Sequence, residues 1–184
     1  MIMSYKKAII DFLSEPRNMA FLLEIETLIP EARNHKYAKC FERFQKDFLI
    51  PKIWTNYSYE ITDNTLILIN EDFKGENYLR IHVHVGERDT NNWYGIYGNQ
   101  ETLSQPIREF QELRELLKSE GVIKRDKLTL AYEYYPTNRT KLLTLPNEAI
   151  DDFLMEWSEI FWNFANNIQN AVEASNDIIL KNMT

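Results

Sequence analysis

Ile150, Trp157, Phe164, Ala171 and Ile178 recur every seven residues, and Leu154, Phe161 and Ile168 follow four residues after the first three. An apolar repeat sustained this far commits the chain to one long helix packed along its length, straight or supercoiled. It starts after Pro146-Asn147 and runs from Glu148 to about Leu180. Such a helix reaches about 50 Å, longer than a domain of this size is wide. Either it breaks near Asn166-Asn167, or its end projects and finds a partner. The expectation is a self-associating end, and hence a homodimer through the C-terminal helix.

The other elements follow from where the apolar period changes. Tyr5 to Leu13 has helical spacing and is broken by Ser14-Glu15-Pro16, because proline lacks a donor and restricts the residue before it. A second helix is predicted over Asn18 to Leu28. A third starts with Pro30 as its first residue and ends near Leu49, closed by Pro51. From Trp54 the period becomes two. Asn56–Ile61 and Leu66–Ile69 read as a hairpin around Thr62-Asp63-Asn64-Thr65, and Tyr78–Val85 and Asn92–Gly98 read as two more strands. Pro106 to Ser119 returns to helical spacing with Gly121 as its C-cap, and Lys127–Tyr135 is a further strand.

The predicted fold class is therefore α+β: N-terminal helices, a mostly antiparallel sheet of about five strands, one intervening helix and a long C-terminal helix. As one domain over 1–184, it has a helical part at 1–50, a sheet at 53–135 with its helix at 106–120, and the final helix at 147–181.

Charge narrows the function classes. The 21 Lys/Arg against 28 Asp/Glu give −7, which counts against nucleic acid as a partner. Residues 147–184 hold one Lys and seven acids, so most of the imbalance belongs to the last helix. Acids in its first turns favour the positive end of the helix dipole. They also offer an acidic face, Asp151, Asp152, Glu156 and Glu159, to a basic partner. No apolar run approaches the ~18 residues of a membrane span. The start has no uninterrupted apolar core or small-residue cleavage site, and the single Cys40 fits a reducing compartment, so a cytoplasmic protein is expected.

Three groups of residues bear on chemistry. Arg80, His82 and His84 alternate with Ile81, Val83 and Val85, so one strand face carries all three polar side chains. His82 and His84 could share a metal if a third ligand joined them. The chain is also rich in rings, with 10 Tyr, 10 Phe and 4 Trp. Tyr and Trp on strands, Tyr94 and Tyr97 among them, supply large contact area at little entropy cost. Trp162 and Met155 fall off the main stripe of the last helix and mark a second packed side. The third group, Asp63 in a turn followed by Leu66–Ile69 and then Asp72-Phe73-Lys74, resembles the catalytic pattern of PD-(D/E)xK nucleases. That resemblance implies two carboxylates holding Mg²⁺ and Lys74 polarising a water.

The order of elements over about residues 38–165, with its Trp93-Tyr-Gly-Ile segment, is similar to the accessory C-terminal region of bacterial PD-(D/E)xK-nuclease-like proteins. The resemblance implies a sensing or binding module. No Walker loop, dinucleotide fingerprint, serine elbow or Cys–His metal spacing occurs in the chain, and no cofactor is expected. The leading expectation is a non-enzymatic protein-interaction module, such as a small bacterial or phage inhibitor, immunity or counter-defence protein. Its partner would be a protein bound by Arg80, His82, Tyr94 and Tyr97, or by Asp151, Asp152, Glu156 and Glu159. The alternatives are a metal-dependent nuclease or phosphoesterase using Asp63, Asp72 and Lys74 (or His82 and His84), and an acidic DNA mimic.

Overall fold

The computed structural model describes residues 2–62, 64–85, 92–99, 102–103, 108–124, 129–135 and 139–183; side chains are described for these other than 2–5, 108–109, 139–141 and 183. Two compact units result, Met1–Lys39 and Cys40–Thr184. The division falls inside a helix and not at the change of period near Trp54.

In the first unit, α1 spans Ile2–Ser14, and α2 begins at Pro16 and runs to Arg43. The second and third helices expected from sequence are one, with Pro30 inside it instead of at an N-terminus. Proline withdraws its own N–H from the ladder and crowds the carbonyl four residues before it, that of Glu26, a local cost that a long helix can absorb. Good helix formers on both sides, Leu28 before it and Glu31-Ala32-Arg33 after it, carry the helix through.

The second unit opens with the end of α2, a π-helical turn at Phe44–Leu49 and a 3₁₀ turn at Ile50–Lys52. Strands β1 (Tyr57–Thr62), β2 (Thr65–Asn70), β3 (Arg80–Val85) and β4 (Asn92–Tyr97) follow. Helix α3 (Arg108–Ser119) comes next, then β5 (Thr129–Tyr134), α4 (Arg139–Thr144) and α5 (Asn147–Met183). The strands lie side by side in chain order, every pair antiparallel. This is the α+β architecture expected. Pro106 and Ile107, predicted to begin α3, and Leu128 in the predicted last strand lie outside the described residues. Gly121 follows α3 at φ +78°, the left-handed conformation of a helix C-cap.

Helix α5 is unbroken, and its C-terminal half is packed instead of projecting. At the expected break, Asn166 accepts a hydrogen bond from Trp54 Nε1 at 3.1 Å and Asn167 donates to Glu120 at 3.0 Å, while Ala165 and Ile168 beside them are buried. Further along, Asn176 accepts from the Leu79 N–H at 2.8 Å and donates to the Leu79 carbonyl at 3.0 Å. The carboxylate of Glu173 accepts from Tyr57 Oη and Asn70 Nδ2, both at 3.0 Å, and from Gln169 at 3.1 Å. Burial mainly, together with the Glu173 charge, pushes the Tyr57 hydroxyl pKa above its ordinary value. The end predicted to self-associate is thus occupied within its own unit.

The buried stripe of α5 departs from the seven-residue repeat for a geometric reason. Ile150, Leu154, Trp157, Phe161, Phe164 and Ile168 are buried as expected, but Val172 and Ile179 take the inward positions ahead of Ala171 and Ile178. A helix with 3.6 residues per turn drifts by about 20° per heptad unless it supercoils, so the contact line moves on by one residue. Trp162, off the stripe, packs edge-on against Trp54 at 5.4 Å, whereas Met155 is exposed.

Opposite α5 lie Leu66, Leu68, Ile81, Val83, Tyr94 and Ile96 from the sheet. Its N-terminal half packs on a ring cluster in which Trp157 stacks on Tyr135 at 4.7 Å and meets Phe44 edge-on at 6.0 Å.

Candidate functional site

Alternation sends every second residue of each strand to the face opposite this core. Antiparallel register then aligns those residues in rows. One row is Glu60, Ile67, His82, Gly95 and Tyr132, and the next is Thr62, Thr65, His84, Trp93 and Tyr134. A third places Arg80 beside Tyr97 and Thr129. Neighbouring strands are ~4.8 Å apart and alternate residues ~6.8 Å along, so rings on β3 and β4 are within stacking reach.

Gly95 sits at the centre of this face. A Cβ there would lie 2.3 Å from the Ala131 carbonyl oxygen and 2.7 Å from Tyr132 Cα, so only glycine lets β5 approach β4 this closely. Its missing side chain also leaves a gap between Trp93 and Tyr97. The His82 ring leans into that gap, parallel to Tyr97 at 4.8 Å and to Trp93 at 6.4 Å. His84 stacks on the same indole at 5.7 Å, and Tyr132 meets it edge-on at 5.7 Å. Five side chains therefore form one continuous aromatic layer.

A pocket of about 550 Å³ opens on this layer. Its walls are Glu60 and Thr62 of β1, Thr65 and Ile67 of β2, Arg80 and His82 of β3, Trp93 and Tyr97 of β4 and Thr129 of β5, with Glu76 and Asn99 from the loops. Arg80 donates to the Gly75 carbonyl at 2.7 Å, while its Nε is buried without a partner. His82 Nε2 is likewise buried and unpaired, the residue being 6% exposed. Burial first, and then the charges of Arg80 and His84, push the His82 pKa down to about 3. The imidazole is consequently neutral at physiological pH and a very weak base.

The residues singled out by sequence divide among four places. Arg80, His82 and Tyr97 meet at the pocket. Tyr94 does not join them: it is buried on the covered face, 4.9 Å from Phe164 and 5.1 Å from Tyr135. It stands three residues from Tyr97, and an odd separation puts two strand residues on opposite faces. On α5, Asp152, Glu156 and Glu159 are exposed, whereas Asp151 is held by Arg43 at 2.7 Å. Asp72 and Lys74 lie in the exposed turn after β2. There the Asp72 N–H is bonded to Asn70 at 2.9 Å and Lys74 forms an ion pair with Glu71. That lysine, and a hydrogen bond from Ser58, hold the Glu71 carboxyl below its usual range. Asp63 lies outside the described residues. His82 and His84 share a face, but His82 is enclosed by rings and His84 Nδ1 is 2.7 Å from Thr65 Oγ1. Among the described residues no three metal-ligating side chains come together.

Trp93, Glu60 and Ile67 belong to the site and were not singled out by sequence. Trp93 has the parity of Tyr97, a signal readable from the strand alone. Glu60 and Ile67 needed the register between strands. No family model, curated protein or solved structure matches this chain.

Proposed function

We propose that this protein is a non-enzymatic binding module that engages a protein partner through the aromatic face of its sheet, opposite α5. The observation that carries this reading is the pair of unpaired polar atoms, Arg80 Nε and His82 Nε2, beneath an open pocket walled by Trp93 and Tyr97. A buried polar group left unmade costs about 1–3 kcal/mol, and these two, unlike the enclosed Tyr135 Oη, border an opening from which another molecule can complete them. Rings and an arginine around a concavity are also the composition of interface hot spots. The groups present favour recognition over proton transfer, because a base with a pKa of about 3 is mismatched to neutral-pH acid–base work. Arg80, Glu60 and Glu76 share the pocket wall with the rings, which suits a partner side chain with both a planar surface and polar edges.

The reading is tested by affinity capture from an extract of the organism of origin, with bound proteins quantified by mass spectrometry. A protein retained by the wild type, lost with Trp93→Ala and kept by Asp152→Lys/Glu156→Lys/Glu159→Lys supports the sheet face. The opposite pattern moves the site to the acidic face of α5.

A further inference from the structure

We propose that the N-terminal helical unit, Met1–Lys39, is the self-association element of this protein, pairing with the same unit of a second copy through an apolar stripe on α1 and α2. From Lys6 to Lys39 no side chain is buried. Yet this stretch holds nine of the fifteen exposed large apolar side chains among the described residues. Their spacing is ordered. Ile9 and Phe12 share a face of α1, and Phe21, Ile25, Leu28 and Ile29 follow one another at helical intervals on α2. Phe12 and Phe21 are 61% and 64% exposed, values usual for surface lysines and not for core phenylalanines.

Area and charge select the occupant. The six side chains of the stripe, at 39–64% exposure, present on the order of 600 Å² of apolar surface. That reaches the top of the ~300–600 Å² range of an ordinary monomer and supplies the ~65% apolar share of the ~800 Å² per partner of a standard homodimer interface. A two-fold pairing sets the same patch against itself, so that patch must not repel its copy. Residues 1–39 hold six Lys/Arg and five Asp/Glu, which is close to neutral. The rest of the chain carries fifteen and twenty-three, so the copies repel elsewhere and not here. The same balance argues against a lipid surface, because membrane-surface helices concentrate Lys and Arg on their polar face. On α2 the stripe is flanked by Glu24, Glu26 and Glu31.

The test uses sedimentation velocity and light scattering of the full chain across a range of concentrations, beside the variant Phe21→Glu/Ile25→Glu/Leu28→Glu. All three side chains are exposed, so the sheet unit keeps its near-ultraviolet circular dichroism in the variant. The expected result is a wild type of twice the 22.0 kDa chain mass and a variant whose dimer dissociation constant rises more than tenfold. Three results overturn the proposal. One is a wild type that stays at the chain mass at every concentration. Another is a variant that keeps the doubled mass. The third is a monomeric wild type that partitions onto phosphatidylcholine/phosphatidylglycerol vesicles. Should the triple variant not fold, Ile9→Glu/Phe12→Glu on α1 gives the same readout.

Discussion

The two faces of the sheet come from the same five strands and the same alternation, yet they differ in what lies over their polar groups. On the covered face Asn176 serves both the N–H and the carbonyl of Leu79, and Glu173 gathers Tyr57, Asn70 and Gln169. The rings on that side, Trp157, Tyr135 and Phe44, are buried among one another. On the other face the rings also stack, but Arg80 Nε and His82 Nε2 are left without partners and a pocket opens over them. Unpaired buried groups occur on the covered side as well, Tyr135 Oη and Trp162 Nε1 among them, but those are enclosed by packed rings, whereas Arg80 Nε and His82 Nε2 border an opening that another molecule can enter.

The comparison breaks most readily through large-to-small substitutions. Trp157→Ala removes the centre of the covered ring cluster and is expected to cost about 3–5 kcal/mol in urea denaturation. Trp93→Ala on the open face is expected to cost no more than about 1.5 kcal/mol, the scale of lost ring pairing. Equal losses would mean that both faces serve the fold alike. Next in size, Asn176→Ala strands two backbone groups at Leu79, for an expected loss of about 1–3 kcal/mol.

The pH dependence sharpens the contrast from the open side. His82 has a folded pKa of about 3, below its ordinary value near 6.5, so the unfolded chain binds the proton more readily. Its contribution to stability is complete above about pH 6.5 and is lost as pH falls toward 3, with a slope approaching about 1.4 kcal/mol per pH unit. His82→Phe is expected to flatten this part of the stability–pH curve relative to wild type, read as the difference between paired denaturation series. Smallest of all, Asp152→Lys, Glu156→Lys and Glu159→Lys, on an exposed helix surface, are each expected to change stability by about 0.5 kcal/mol or less.

The architecture was legible because its signals were long. Five period-two segments and a sustained helical stripe identify strands and helices without reference to tertiary contacts. What failed were inferences from single residues. Pro30 looked like a helix start, but a proline within strong helix formers is carried along by its neighbours. Asn166-Asn167 looked like a break, yet both side chains find partners, Trp54 and Glu120, that no local rule reveals. The site was legible only in part. Arg80 and His82 stand out by alternation within one strand, but pairing Tyr94 with Tyr97 overlooked parity. Glu60 and Ile67 enter only through a register set by turns between strands. The exposure of the stripe on α1 and α2 was hidden for a related reason, since periodicity shows that a face is apolar and not what covers it.

The central claim concerns where the partner docks, and the four tryptophans report on it directly. Their indole N–H resonances are to be followed in two-dimensional NMR while the captured partner is titrated in, with Trp93→Phe identifying the signal on the open face. The account predicts that the Trp93 resonance shifts or broadens at the first additions while that of Trp157, buried on the covered side, stays in place. A saturating partner that leaves Trp93 unmoved would contradict it.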